Sequence, residues 1–333
     1  MTYRIAINGF GRIGRNYLRL LANRAPELEV VAVNDLFDTA TLAHLLEYDS
    51  TFGRMTAEVG HAADALIVDG RRIPAFARRT PDELPWAELG VDLVIESTGK
   101  LRTRDDAALH LKAGAGRVLI SAPGKGVDAT LVPGVNAETY DPVKHQIVSA
   151  ASCTTNCVAP LLKVIHEAFG IEQGYLTTVH AYTNDQNVLD APHKDARRSR
   201  AAAVNIIPTS TGAAKAVGLV LPELAGRLDG VALRVPVIDG SISDLTLRLA
   251  GEATAERINE AVAAAAGSQM RGIIRYTDSP LVSTDIIGDP ASCVFDARLT
   301  QAQDRLVKVF GWYDNEWGYT SRLVDLTAQM AAR

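Results

Sequence analysis

The chain of 333 residues has only three cysteines, few aromatic residues (6%) and no excess of basic charge. Each scarcity excludes something. An odd trio of cysteines in so long a chain does not make a disulfide framework, and it fits a reducing compartment. A formal net charge of −5 argues against a dedicated nucleic-acid binder, although a local basic patch still suits phosphate. No uncharged apolar run approaches the ~18 residues that a membrane helix needs. The start, Met1-Thr2-Tyr3-Arg4-Ile5, runs directly into strand-like sequence without the basic-then-apolar pattern of a secretory leader, so a cytoplasmic location is expected. Internal repeats and low-complexity linkers are also missing.

What remains is 47% hydrophobic and 22% charged, the balance of a folded chain. Single cores tend to split beyond roughly 250 residues, so two domains are expected.

The first is a nucleotide unit. Arg4–Asn8 reads as a buried strand, Gly9-Phe10-Gly11-Arg12-Ile13-Gly14 as a tight turn, and Arg15–Ala25 as an amphipathic helix. Such a turn brings backbone amides at a helix start against a pyrophosphate. Leu28–Asn34 is a second strand and ends at Asp35, 21 residues beyond Gly14. A carboxylate there accepts from ribose hydroxyls and repels a 2′-phosphate, which favours NAD over NADP. A helix is expected over Thr41–Tyr48, two short strands over Val59–Pro74 joined near Asp69-Gly70, a strand over Val91–Glu96, a helix over Thr103–Ala113 and a strand over Val118–Ser121. Ser97, Thr98 and Ser121 fall beyond strand ends, where ligands of such sheets bind, and equally suit helix caps and turns.

The centre of the chain is Ala151-Ser152-Cys153-Thr154-Thr155-Asn156-Cys157. A strand ends at Ser149 and a helix continues over Val158–Phe169, so Cys153 is expected near a helix N-terminus, where amides and the dipole favour a thiolate nucleophile. Cys157 reads as a buried neighbour, because a CxxxC pair without further ligands is poor support for zinc; no metal is expected. Leu176–Val179 is a strand delivering His180, a candidate general base for the thiol. Residues 184–200 form a polar loop with Lys194, Arg197, Arg198 and Arg200, which suits a solvated surface or a phosphate or subunit contact. Ile206–Gly212 is read as opening a helix that runs to Leu221, with Thr211 and Gly212 as anion donors. Strands over Val231–Val237, Ser243–Ala250, Ile273–Tyr276, Cys293–Asp296 and Leu306–Tyr313, and helices over Thr254–Ala266 and Tyr319–Ala332, describe a second α/β or α+β unit.

Ile7–Arg15, residues 151–157, His193-Lys194-Asp195, Ser210–Ala216 and Trp312–Tyr319 together resemble, over essentially the full length, the phosphorylating glyceraldehyde-3-phosphate dehydrogenase family of bacterial type. The resemblance implies a Rossmann-type NAD-binding domain over residues 1–152, completed by a C-terminal helix over 316–333 that packs on the first helix. It also implies an α+β catalytic domain with a mixed or antiparallel sheet over 153–315. Cys153 is then the nucleophile toward D-glyceraldehyde 3-phosphate and His180 its base, held as a thiolate–imidazolium pair. Hydride passes to NAD, and inorganic phosphate takes the acyl group from the thioester to give 1,3-bisphosphoglycerate.

By the same resemblance, Gly9, Phe10, Gly11, Arg12, Ile13, Gly14, Asp35, Arg78, Ser97, Thr98, Gly99, Ser121 and Asn184 contact the cofactor. Asn315 holds the nicotinamide carboxamide and Tyr319 packs nearby. Thr183, Asp185, Arg197 and Arg234 surround the C3 phosphate, with Arg197 also near the inorganic-phosphate site; Asp185 orients a donor there. Ser152, Thr154, Thr211 and Gly212 form the other anion site. NADP is implied as a weaker second cofactor, and a homotetramer with the loop near 183–205 at a subunit interface.

Three stretches depart from the family's usual pattern: Ala150 where asparagine is common, Ala191-Pro192, and Val237-Ile238-Asp239-Gly240-Ser241. Two other readings stand beside the first. One is oxidation of erythrose 4-phosphate, with water resolving the thioester. The other is a non-catalytic regulatory or RNA-binding role of the cofactor cleft.

Overall fold

Two glycines shape the start of the chain. In the computed structural model, which describes residues 2–24 and 27–333, β1 (Tyr3–Asn8) turns at Gly9 into α1 (Arg12–Arg24). Gly9 has φ +94°, and a Cβ there would lie 2.6 Å from the Thr98 amide nitrogen. Gly14 sits inside α1, where a Cβ would meet the Gly9 carbonyl at 2.3 Å, and the helix begins at Arg12, three residues before the expected Arg15. Ala25, the expected helix end, lies outside the described residues.

The chain divides into two compact units. The first comprises Met1–Leu131, Ala137–Ala151 and Thr320–Arg333. After α1 it contains β2 (Leu28–Asn34), α2 (Thr39–Glu47), β3 (Val59–Ala62), β4 (Ala65–Val68), β5 (Arg71–Phe76), β6 (Leu93–Glu96), α3 (Arg104–Lys112), β7 (Arg117–Ile120), β8 (Ala129–Thr130) and β9 (Ile147–Ser149). Among the described residues these strands form one sheet in the order β3-β4-β5-β2-β1-β6-β7-β9-β8. The strands β2, β1, β6, β7 and β9 run parallel. Ile5, Ala6 and Ile7 of β1 and Leu93, Val94 and Ile95 of β6 are fully buried, as expected for central parallel strands covered on both faces. β1 pairs with β2 on one side and β6 on the other, so the strand order changes direction at their carboxyl ends, where a ligand is expected.

The segment from Val59 holds three strands rather than two. Asp69 and Gly70, with φ +46° and +76°, make the expected turn between β4 and β5. Ala63-Asp64 makes a second reversal for which alanine gives little signal.

The second unit comprises Val132–Asn136 and Ser152–Tyr319. It contains α4 (Cys153–Phe169), β10 (Ile171–Ala181), β11 (Ile207–Ser210), α5 (Ala213–Val220), β12 (Leu228–Val235), β13 (Ser241–Leu249), α6 (Ala255–Gly267), β14 (Ile274–Thr277), β15 (Cys293–Asp296), β16 (Gln301–Gln303) and β17 (Leu306–Tyr313). Its mixed sheet runs β11-β12-β10-β13-β17-β15-β14, with β16 on β17. Alternation of burial along β13 and β17 marks one face fully covered and one only partly covered. The stretch read as opening a helix at Ile206 is instead β11 followed by α5. Pro208 is tolerated there because β11 is the edge of the sheet. The last helix, α7 (Trp317–Ala331), contributes its residues from Thr320 onward to the first unit, where Tyr17 Oη of α1 donates to Thr327 Oγ1 at 2.9 Å. Among the described residues no helix is long and apolar enough to cross a membrane.

Candidate active site

Cys153 is the first residue of α4, and its position is set by the residues before it. Ala151 has φ +57°, an uncommon conformation for a residue with a Cβ, which turns the chain from β9 into the helix. Ser152 caps the helix: its Oγ accepts from the Thr155 amide at 3.0 Å, a contact worth about 1 kcal/mol. Ala150 is fully buried and its amide donates to Ile120 O at 3.0 Å, so the helix start is supported without an asparagine side chain there.

His180 lies within β10, which extends two residues past the expected end, and pairs in parallel register with Arg234 of β12. Residues in register share a face of the sheet. His180 Nε2 stands 3.5 Å from Cys153 Sγ. Its Nδ1 is 2.6 Å from Ala181 O and 2.7 Å from Arg234 Nη1, which itself donates to Ala181 O at 3.0 Å. Donation from Nδ1 to Ala181 O leaves the lone pair on Nε2, the tautomer that a base at Cys153 needs. Tyr313 braces the pair. Its hydroxyl bonds both Thr154 Oγ1 and Thr178 Oγ1 at 2.8 Å, and its ring meets the His180 ring edge-on at 5.9 Å.

Burial, and then the charge of Arg234, push His180 down to about 3, and burial pushes the Cys153 thiol above its ordinary 9.0 against the pull of Arg234. A helix end contributes about 0.3–2 kcal/mol, roughly 0.2–1.5 pKa units, too little alone to ionise most of a thiol at neutral pH. Both shifts favour the neutral thiol and the neutral imidazole, and Nε2 is placed to take the thiol proton.

A basic cluster adjoins the pair. Arg234 Nε is buried without an acceptor among the described residues, a donor that suits an anion. It is Arg198, not Arg197, that comes near Arg234, whose charge and the surrounding burial lower the Arg198 pKa. Arg198 Nε donates to Thr209 Oγ1 at 2.8 Å, its Nη1 pairs with the Asp185 carboxylate, and Asp195 Oδ2 lies at 3.8 Å. Arg197 is exposed, and its backbone amide, not its guanidinium, bonds Asp195. Thr183 is tied through its amide and hydroxyl to Gln186 Oε1 at 2.6 and 3.2 Å. Thr154 is turned to Tyr313 rather than left open, whereas Gly212, N-cap of α5, has open space where a Cβ would sit, beside Thr211, whose Oγ1 accepts from the Ala213 amide at 3.2 Å. Asn184 is exposed.

In the first unit, Asp35 Oδ2 accepts from the Phe10 amide at 2.8 Å and so ties the glycine turn to the end of β2. Ser97 Oγ donates to Gly9 O at 2.7 Å, and Thr98 donates to the buried Glu96 carboxylate, so both hydroxyls shape the loop at the strand ends. Glu96 also accepts from Asn8 Nδ2 at 2.6 Å and lies 3.0 Å from His110 Nε2; neither Glu96 nor His110 was singled out by motif. The Arg12 guanidinium pairs with Asp49, and the exposed Arg78 exchanges backbone bonds with the Asn34 side chain. Gly99 has φ +70°, and the Ser121 amide donates to Glu96 O at 2.9 Å. Gly11 has nothing within 4 Å of its missing Cβ. Open space there, beside the first turn of α1 and a carboxylate at the end of β2, fits a dinucleotide whose pyrophosphate approaches the backbone and whose ribose meets Asp35.

Known proteins match both halves. Residues 3–104 match the family model for the glyceraldehyde 3-phosphate dehydrogenase NAD binding domain, and residues 152–315 that for its C-terminal domain. The chain belongs to the glyceraldehyde-3-phosphate dehydrogenase family. It is 59% identical over 329 residues to the glyceraldehyde-3-phosphate dehydrogenase of Streptomyces coelicolor, covering 98% of each chain. It is 57% identical over 328 residues to glyceraldehyde-3-phosphate dehydrogenase 2 of Streptomyces avermitilis, again covering 98% of each. The Geobacillus stearothermophilus enzyme of the same name is 55% identical over 334 residues, covering 100% of this chain and 99% of the relative.

Proposed function

We propose that the protein oxidises D-glyceraldehyde 3-phosphate with NAD and inorganic phosphate to 1,3-bisphosphoglycerate through a thioester on Cys153. The observation that carries this reading is a cysteine at a helix N-terminus, 3.5 Å from the free nitrogen of a buried histidine, beside a two-arginine anion cluster. His180 Nε2 takes the thiol proton, the sulfur attacks the aldehyde carbon, and the carbonyl oxygen receives the proton back from Nε2 to give the hemithioacetal. Bound NAD supplies the hydride acceptor at the nicotinamide C4. As hydride leaves the hemithioacetal carbon, His180 takes the hydroxyl proton and a thioester remains. A phosphate oxygen then attacks the thioester carbon, the C–S bond breaks, and the thiolate is regenerated.

Arg234, with Thr183, serves the C3 phosphate. Arg198, Thr211 and Gly212 serve the attacking phosphate, which places on Arg198 the role expected of Arg197. The guanidinium fork suits phosphate oxygens, and an arriving anion offsets the charge that holds His180 neutral, making its role as proton carrier easier. Asp35 favours NAD, with NADP as a weaker second cofactor, and Asn315 holds the carboxamide. The nucleotide-binding domain spans 1–152 with 316–333, and the catalytic domain 153–315. Exposed apolar side chains at Val188, Leu189, Val204 and Ile206 support a homotetramer assembled through this segment, and the reading is of a cytoplasmic enzyme.

A matched pair of variants tests the phosphate assignment. Arg198→Ala removes charge-assisted bonds worth about 1.5–3 kcal/mol, so the KM for inorganic phosphate should rise roughly 10- to 150-fold, while Arg197→Ala should stay within about twofold. Steady-state rates of NADH formation against phosphate concentration check both. Equal effects of the two substitutions would overturn the placement of Arg198.

A further inference from the structure

The segment Val237–Ser241, which departs from the family's usual pattern, places a second carboxyl beside one already in the fold. Asp239 is fully buried and Asp314 is 1% exposed, and the two side chains lie within hydrogen-bonding reach of each other. Their surroundings are unequal. Asp314 accepts three backbone amides: Glu316 at 2.9 Å and Trp317 at 2.6 Å on Oδ1, and Gly288 at 2.7 Å on Oδ2. Asp239 accepts only the Gly240 amide, at 2.8 Å on Oδ1, and its Oδ2 is buried with no donor among the described residues. Two bare carboxylates cannot stay ionised in contact away from water, so one must carry a proton. The carboxyl with fewer donors is the one that holds it.

Both ends of this pair lead to Asn315. Asp314 precedes it in the chain and caps the first turn of α7 through the Trp317 amide. Two residues beyond Asp239, Ser241 Oγ donates to Asn315 Oδ1 at 2.6 Å and accepts from the Ala181 amide at 3.1 Å, next to His180. The Ser241 bond fixes which way the Asn315 amide faces and leaves Nδ2 as its free donor. Between Asp239 and Ser241, Gly240 has φ +82°, and a Cβ there would lie 2.2 Å from Ser283 O, so the segment packs closely on the chain at Ser283.

We propose that Asp239 and Asp314 share a single proton and that this carboxyl pair is a positioning device for Asn315, holding its amide in register for the nicotinamide carboxamide. The inference rests on the assignment of Asn315 to NAD made above. The charged groups that act on Asp239 are Asp314 and Glu316, both acidic, and against them stands the single Gly240 amide that favours its ionised form. Burial, and then the neighbouring Asp314, push Asp239 up to about 9, and burial also raises Asp314. The sign follows. Below its ordinary value of 3.8, Asp239 is neutral in both the folded and unfolded chain and the pair is intact. Above it, only the unfolded chain ionises freely, so stability declines as pH rises toward about 9, where the folded pair itself loses its proton and repels.

Asp239→Asn tests this, because its amide donates to Asp314 without a proton to lose. NAD binding by titration calorimetry, thermal unfolding, and KM for NAD against kcat should be followed from about pH 6 to about pH 10. The native protein should bind NAD progressively more weakly, roughly tenfold, as pH approaches the upper limit, with its unfolding temperature falling. Asp239→Asn should show a flat NAD affinity and a higher unfolding temperature whose advantage grows with pH. Asp239→Ala should bind NAD weakly at every pH, with KM raised more than kcat is lowered. Coincident pH profiles for the native and Asp239→Asn proteins, or native NAD affinity in Asp239→Ala, would overturn the proposal. Failure of the native protein to bind NAD at any pH would instead overturn the cofactor assignment.

Discussion

Cys153→Ser lowers turnover with D-glyceraldehyde 3-phosphate by roughly 10⁴-fold or more, while NAD affinity stays within about twofold. The size of the loss follows from what sulfur supplies. A serine hydroxyl is far less acidic than a thiol, and nothing at this site compensates: the helix end offers about 0.3–2 kcal/mol, and His180 is held neutral by burial and Arg234. An alkoxide is also a poorer leaving group when phosphate resolves the acyl intermediate. The fold tolerates the change, because Ser152 rather than residue 153 caps α4 and the Thr154–Tyr313–Thr178 bridge is untouched. Steady-state kinetics beside NAD titration separates the two effects. A variant retaining more than about a tenth of native turnover would remove Cys153 from the chemistry.

His180→Asn is expected to lower kcat by roughly 10²–10⁴-fold, the usual weight of a positioned acid–base group. Its loss differs in kind from that of Cys153→Ser. The thiol remains but has lost the nitrogen at 3.5 Å that receives its proton. The remaining rate should climb with pH as the thiol, raised above its ordinary 9.0, ionises to solvent. Alkylation of Cys153 should slow in parallel at neutral pH and recover in alkali. A pH profile for alkylation that matches the native one would show that His180 does not serve the thiol.

Local chemistry made much of this legible in the sequence. Gly9 and Gly14 announce themselves because close backbone contact admits no side chain, and Asp35 because a strand end has to carry a ribose acceptor. Cys153 is readable because a strand ending at Ser149 and the apolar periodicity of Val158–Phe169 bracket a helix start. Less legible were the features decided by distant parts of the chain. Arg197 and Arg198 are adjacent arginines in an aperiodic loop, and the choice between them is made by Asp185, Asp195 and Thr209, which only the fold assembles around Arg198. Ile206–Thr211 carries apolar residues that suit a helix, yet pairing with β12 and an edge position make it a strand. Tyr313 sat inside a recognised motif, but its double hydroxyl bridge depends on α4 and β10 meeting β17. The lowered pKa of His180 was equally hidden, because burial and the register of His180 with Arg234 are tertiary facts.

The most direct test is a rapid-mixing experiment with enzyme, NAD and D-glyceraldehyde 3-phosphate in the absence of phosphate, followed by intact-mass and peptide analysis. A burst of about one NADH per active site should precede near-arrest, with an acyl adduct on Cys153 that disappears when inorganic phosphate is added. Continuous NADH formation without phosphate, with no adduct on Cys153, would contradict the thioester mechanism.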